Sequence, residues 1–212
     1  LFTINTNVLG TANVLNSVKD LKKEVTAVII TSDKCYDNLE LKRGYNEKDL
    51  LGGKDIYSGS KGAAELIIKS FYNSFFKDHK YESTIVSARA GNVIGGGDWG
   101  KDRIVPDAVA SWNKNEKLSI RNPLSTRPWQ HVLEPISGYL TLASKLYLDK
   151  NLNGENFNFG PDETSNKTVK DLIDRLSKRW GFEEKKDSYS IKHKEDFHEA
   201  GGVSALLNEL SP

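Results

Sequence analysis

Residues Thr26 to Thr31 read Thr-Ala-Val-Ile-Ile-Thr, a short and nearly unbroken apolar run between two segments of helical spacing. Such a run suits a strand buried on both faces of a parallel sheet. Parallel strands need crossover connections, usually helices, and the flanks supply them. Val8, Ala12 and Leu15 share one face of an opening helix that extends to about Lys19. Ala63, Leu66, Ile67, Phe71 and Phe75 form the buried stripe predicted for a helix opened by Tyr57. Thr84 to Ala88 is the next strand. Beyond it the pattern predicts a helix over Pro106 to Asn115, a short strand Leu118 to Ile120, and a polar, aromatic loop Arg127 to His131. A helix Ile136 to Leu148 follows, with Ile136, Tyr139, Leu140 and Ala143 on one face, then a short strand Phe157 to Phe159. A last helix, Thr168 to Trp180, is capped by Ser165 or Thr168. From Lys185 the chain is highly charged and weakly patterned. The alternation of helix and strand predicts an α/β fold built on a doubly wound parallel sheet.

With 212 residues and 37% hydrophobic content, the chain can build one good core, or one and a half domains. Its 30 basic and 29 acidic residues give a net charge of +1, so no global field recommends nucleic acid or a membrane as partner. No apolar run is long enough to span a bilayer, and no signal-peptide pattern opens the chain. The single cysteine, Cys35, excludes an internal disulfide framework and fits a reducing cytoplasm. At a strand end it reads as a packing residue. There is no methionine, and Leu1 opens on a mid-helix pattern without a cap, so a fragment or a processed chain is expected.

The chemistry gathers after the apolar strand. Ser32-Asp33-Lys34 stands at its carboxyl end and starts a long polar loop to Asp55 that contains Gly44, Gly52 and Gly53. Open α/β sheets place their ligands outside the carboxyl ends of strands. Tyr57 and Lys61 lie one helical turn apart, so their side chains rise from the same face. A nearby ammonium favours a phenolate, and a hydroxyl such as that of Ser32 would stabilise the same oxygen. Arg127 suits a diphosphate, because a guanidinium matches phosphate oxygens bidentately. The loop Gly91 to Gly100 is rich in glycine, but its spacing is not that of a dinucleotide fingerprint. No residue is assigned to a metal.

These features resemble the extended short-chain dehydrogenase/reductase family, and several blocks are similar to its CDP-glucose 4,6-dehydratase branch. They are Thr31 to Asn38, Leu51 to Glu65 with Tyr57-Ser58-Gly59-Ser60-Lys61, Arg89 to Trp99, Lys101 to Asp107, Thr126 to Pro135, and Asn158 to Pro161. The resemblance runs from about Asn7 to Ala200. Lys34 is the discriminating residue: an acidic residue usually stands here in the related dTDP- and GDP-sugar dehydratases, whereas a lysine resembles the CDP-glucose branch.

The resemblance implies part of a Rossmann-type doubly wound sheet with a smaller carboxyl-terminal substrate-binding lobe. Residues 1–95 would be the later part of the NAD-binding domain. Residues 96–200 would form the lobe, interleaved at about 132–160 with the last sheet elements, and 201–212 a divergent tail. The implied reaction takes CDP-D-glucose to CDP-4-dehydro-6-deoxy-D-glucose and water, by oxidation at C4, loss of water across C5 and C6, and reduction at C6. Ser32, Asp33, Lys34, Tyr57 and Lys61 would be catalytic. Thr31, Tyr57, Lys61 and Ala90 would bind NAD. Asn92, Arg103, Arg121, Arg127 and His131 would contact the sugar nucleotide, with His131 also readable as a structural histidine and Trp129 as pocket wall or core. A cytoplasmic homodimer is expected, working in surface-polysaccharide synthesis. His193 and His198 receive no role. The glycine-rich first strand-turn-helix that would hold the NAD pyrophosphate does not occur in the sequence. The alternatives are a sugar-nucleotide epimerase or reductase on the same scaffold, and an inactive fragment or interaction module.

Overall fold

The computed structural model describes residues 1–192 apart from 22, 40, 42, 79, 80 and 163–165. Ser165, His193, His198 and the tail 201–212 therefore lie outside the described residues. The opening helix α1 (Phe2–Ile4) passes through a π-helical turn, Asn5–Leu9, into α2 (Gly10–Asp20). Strand β1 (Thr26–Ile30), helix α3 (Ile56–Phe71) and strand β2 (Thr84–Ala90) follow. The middle of the chain holds β3 (Val93–Ile94), α4 (Ile104–Asn113), β4 (Leu118–Ile120), β5 (Thr126–Arg127) and β6 (Gln130–His131). Helix α5 (Leu133–Leu148) and β7 (Asn156–Phe159) return to the sheet. The chain continues through β8 (Lys167–Thr168), α6 (Val169–Trp180), α7 (Lys185–Ser188) and β9 (Tyr189–Ile191).

The main sheet has the order β1-β2-β7 and is parallel throughout, with Thr26 opposite Thr84 and Ala88 opposite Phe157. Helices cover both of its faces, which is why the strands read as continuous apolar runs. On one face Leu15 and Val18 of α2 and Ile68 of α3 meet Ile85. On the other, Leu142 and Leu146 of α5 meet Val86, Ala88 and Phe157. The fold is thus an α/β doubly wound parallel sheet. A separate cluster, Ala108, Trp112, Leu118, Ile120 and Ile173, forms the core of a second lobe built from α4, β4 and α6. Among the described residues no helix is long and apolar enough to cross a membrane.

Three local expectations are corrected. Leu66 points outward at 55% exposure, and the buried side of α3 is instead Ala64, Glu65 and Ile68. Ile136 and Leu140 of α5 are also exposed, because Pro135, Leu142 and Leu146 face the sheet. The weakly patterned segment after Lys185 contains β9, which pairs in parallel with β4. Its order comes from that distant partner, with the Trp112 indole donating to the Ser188 carbonyl at 2.7 Å. Thr168 caps α6 in a reciprocal capping box with Asp171.

The loop between β1 and α3 has its own small core of Cys35, Tyr36 and Tyr45, the two tyrosines stacked at 5.3 Å. Gly62 lets α3 press against this loop: a Cβ there would sit 2.7 Å from the Gly52 carbonyl oxygen. The helix that carries Tyr57 and Lys61 is therefore seated directly on the loop that carries Ser32 to Cys35.

Candidate active site

A cleft of about 1200 Å³ opens at the carboxyl ends of β1 and β2, between the sheet and the second lobe. Thr31, Ser32, Asp33, Lys34, Tyr57 and Ala90 line it from the sheet side. Asn92, Arg103, Arg121 and Arg127 line it from the following loop and the lobe. Lys61 lies instead in an adjoining recess of about 420 Å³, which shares Ile30 and Thr31 with the main cleft. His131 lines neither space; its Nδ1 accepts from the Leu133 amide at 3.3 Å, at the start of α5.

The triplet after β1 is held by its own hydrogen bonds. The Ser32 hydroxyl accepts from the Lys34 amide at 3.2 Å and donates to Asp33 Oδ1 at 3.0 Å. Asp33 Oδ2 accepts from Lys34 Nζ at 2.9 Å. Asp33 is 2% exposed, whereas the Lys34 side chain is about a third exposed and reaches the cleft. Both oxygens of one buried carboxylate are thus engaged, one by a hydroxyl and one by an ammonium.

Tyr57 sits in the first turn of α3 and is 48% exposed towards the cleft. Asp55 caps this turn, accepting from the Tyr57 amide at 2.8 Å, the Ser58 amide at 3.0 Å and the Ser58 hydroxyl at 2.6 Å. The Ser58 hydroxyl foremost, then the two amides and the Lys34 charge, hold the Asp55 carboxyl below the usual range against the opposing effect of burial. A carboxyl with a depressed folded-state pKa contributes stability above its ordinary value of about 3.9 and loses it as pH falls. Asp55→Ala is accordingly expected to cost about 1 kcal/mol at neutral pH. The melting-temperature difference from the parent should shrink on acidification below about pH 4. A difference that grew in acid would exclude the cap.

Lys61, one turn on, has its Nζ 5.8 Å from the Tyr57 ring centroid. Burial lowers its pKa, with Cys35 and Glu65 pulling the other way. Lys61 makes no ion pair among the described residues. Cys35 is fully buried, and desolvation raises its pKa far above the ordinary thiol value. It is a packing residue.

Beneath the site lies a charged network to which sequence reasoning gave no role. Arg89, near the carboxyl end of β2, donates to Glu65 of α3 at 2.7 Å, and both are almost fully buried. Glu65 also accepts from Ser87 at 2.8 Å and from the Thr31 hydroxyl. Arg89 donates to the Tyr36 hydroxyl at 2.9 Å, which donates to Asn158 at 2.7 Å. The network ties α3, β2 and β7 to Thr31, just after β1, and to the loop that carries Tyr36. Its signal was available: an arginine inside an apolar strand and a glutamate on the buried side of a helix need each other.

On the lobe side, Arg103 pairs with Asp98 at 2.9 Å and Arg121 with Asp102 at 3.4 Å, both at the surface. Arg127 donates to the Thr126 carbonyl at 2.9 Å. Asn92 Oδ1 is buried without a partner among the described residues, and the Asn92 carbonyl accepts from the Gln130 amide at 3.0 Å. The cleft thus brings a hydroxyl, a carboxylate, an ammonium and a phenol at the sheet end together with guanidinium groups at the lobe end.

The chain is similar to several known proteins. CDP-glucose 4,6-dehydratase from Salmonella typhimurium (strain LT2) is 50% identical over 182 residues, covering 84% of this chain and 51% of that protein. A dTDP-D-glucose 4,6-dehydratase from Dictyostelium discoideum is 27% identical over 188 residues, covering 83% and 40%. The chain therefore spans about half the length, or less, of these curated relatives. The crystal structure of dTDP-glucose 4,6-dehydratase from Bacillus anthracis in complex with NAD superposes with a TM-score of 0.75 at 24% identity, covering 97% of this chain and 60% of that one. UDP-glucuronic acid 4-epimerase from Bacillus cereus, in complex with UDP-glucuronic acid and NAD, gives a TM-score of 0.75 at 19% identity over 96% and 58%. Those two likenesses establish the Rossmann-type fold. The family described as GDP-mannose 4,6 dehydratase matches residues 1–211, nearly the whole chain, and the chain belongs to that family.

Proposed function

We propose that this chain carries the substrate-converting part of a CDP-D-glucose 4,6-dehydratase, which forms CDP-4-dehydro-6-deoxy-D-glucose and water. The observation that carries the reading is the Asp33–Lys34 ion pair, 2.9 Å long, in the cleft that also holds Tyr57. The 50% identity to the Salmonella enzyme supports the choice of nucleotide sugar.

NAD fits the junction of the two spaces. Lys61 presents a half-buried ammonium, without an ion pair among the described residues, to a recess also lined by Asn7, Thr11 and Thr31, a donor and acceptor set suited to ribose hydroxyls. Lys61, Tyr57, Thr31 and Ala90 would hold the nicotinamide end. Bound there, NAD⁺ would accept hydride from C4 of the sugar and supply it again at C6.

The chain's own groups handle the protons. Tyr57 takes the proton of the C4 hydroxyl, and Ser32 holds that oxygen. A ketone at C4 acidifies the C5 proton. Lys34 passes one proton to Asp33, which delivers it to the departing C6 hydroxyl as water. As that hydroxyl leaves, the amine left on Lys34 takes the C5 proton, so the pair begins and ends this step as ammonium and carboxylate. Reduction at C6 is completed by a proton at C5, balanced by the one Tyr57 took from the C4 hydroxyl, which resets the tyrosine. Asn92, Arg103, Arg121 and Arg127 would hold the diphosphate. His131, away from the lining, would act only by setting the start of α5. The exposed Val14 and Leu66, on α2 and α3, support a second copy as the partner on that face.

The test is incubation with CDP-glucose and NAD⁺, followed by product analysis. A 4-keto-6-deoxy sugar nucleotide supports the reading. A 4-epimer, or no conversion in a chain that binds both ligands, overturns it.

A further inference from the structure

Three of the four tryptophans are anchored. Trp112 is 3% exposed and lies 5.5 Å from Trp180, ring to ring. Trp129 donates its indole N–H to the Lys167 carbonyl at 3.2 Å. Trp99 is different. It is 73% exposed, lines the main cleft, and has no hydrogen bond or ring contact among the described residues. An indole is a large apolar surface to leave in water, and a concave site is where such a ring finds a partner.

The loop around it is built to display that ring. Asp98 accepts from the Gly100 amide at 3.0 Å and from Arg103 at 2.9 Å, which fixes the turn to the head of α4. On the other side Gly97 has φ +80°, a conformation that favours glycine, and nothing lies within 4 Å of the Cβ position of Gly96 or Gly97. The turn that carries Trp99 is therefore tied to Arg103 through Asp98, with the indole largely exposed at the cleft. Arg103 and Arg121 share the cleft wall with it, each paired among the described residues with a surface carboxylate. Such pairs are weak, and phosphate oxygens replace the carboxylates readily. An aromatic face beside two available guanidiniums suits a flat ring joined to a diphosphate. With the sugar at Tyr57 and the diphosphate at the arginines, the next groups along a nucleotide sugar are the ribose and the base.

We propose that Trp99 is the stacking platform for the pyrimidine base of the nucleoside-diphosphate sugar. The proposal rests on the sugar-nucleotide reading above and adds the residue that engages the base. Stacking on an aromatic side chain tolerates either pyrimidine, since each presents a π face. Trp99 thus supplies affinity rather than discrimination between cytosine and uracil.

The experiment titrates the chain with CDP and, separately, with inorganic pyrophosphate, following tryptophan emission and binding heat. CDP is expected to quench emission. Trp99→Ala should abolish that quench and weaken CDP about tenfold or more, with pyrophosphate affinity and melting temperature unchanged. Trp99→Phe should keep most of the CDP affinity. Failure of the parent chain to bind CDP overturns the proposal. So does equal CDP affinity in Trp99→Ala, or an equal loss for pyrophosphate, which would mark a loop-anchoring role. Trp99-dependent CDP binding without a 4-keto-6-deoxy product would sink the reaction assignment and leave the platform standing. Product formed with the same KM for CDP-glucose in parent and Trp99→Ala would sink the platform alone.

Discussion

Lys34→Met is expected to lower formation of the 4-keto-6-deoxy product by about 10²–10⁴-fold, the usual contribution of a positioned proton-transfer group. Affinity for the nucleotide sugar should barely change, because Lys34 reaches the cleft beside Asp33, away from the arginines of the lobe. The informative partner is Lys34→Arg. A guanidinium can keep the ion pair with Asp33, but it does not release a proton in proteins. If Lys34 moves protons, arginine fails as methionine does. If Lys34 only orients Asp33, arginine restores most of the turnover, and the proton circuit through the pair is wrong. Tyr57→Phe gives the contrasting phenotype. It should stop the first step at C4, so that no reduced-nicotinamide absorbance appears on adding the nucleotide sugar, whereas Lys34→Met leaves the C4 step and that absorbance intact.

The sheet and the site were legible in the sequence to different depths. The run Thr26 to Thr31 and the strand from Thr84 are short, apolar and locally encoded, and both form strands of the parallel sheet. Tyr57 and Lys61 share a helix face because their spacing dictates it, so their placement needed no tertiary information. The facing of α3 and α5 was less legible. Leu66, Ile136 and Leu140 fit an apolar helical stripe as well as the residues that are actually buried. Only the position of the sheet chooses between the two phases. Strand β9 was hidden for a similar reason: its partner β4 lies some seventy residues earlier, and a charged segment carries no local trace of that pairing. Trp99 passed unassigned because one exposed aromatic on a glycine-rich loop is, in sequence, an ordinary turn residue.

The largest expected loss of stability comes from Glu65→Ala. It would strand Arg89, a guanidinium only 1% exposed in the centre of the sheet. Removing one partner of a buried pair typically costs about 3–5 kcal/mol, because the other charge is left without compensation. For a chain of this size each kcal/mol shifts the melting temperature by roughly 2–4 °C, so the loss should be plain in calorimetry. Part of the cost is not Coulombic, since Thr31 and Ser87 also lose an acceptor. The double variant Glu65→Met with Arg89→Met separates the two contributions. Replacing both charges by apolar side chains of similar volume is often neutral or stabilising, so most of the lost stability should return. Turnover should not return with it. Glu65 bonds to Thr31, immediately before Ser32, and stands one turn beyond Lys61 on α3, so it fixes the helix bearing Tyr57 against the strand end bearing Ser32 and Asp33. An apolar pair holds the helix down without holding that register. Calorimetry and turnover measured on the same three proteins decide the matter: full recovery of both in the double variant would reduce the ion pair to a packing feature, and recovery of stability alone makes it the part of the core that aligns the catalytic groups.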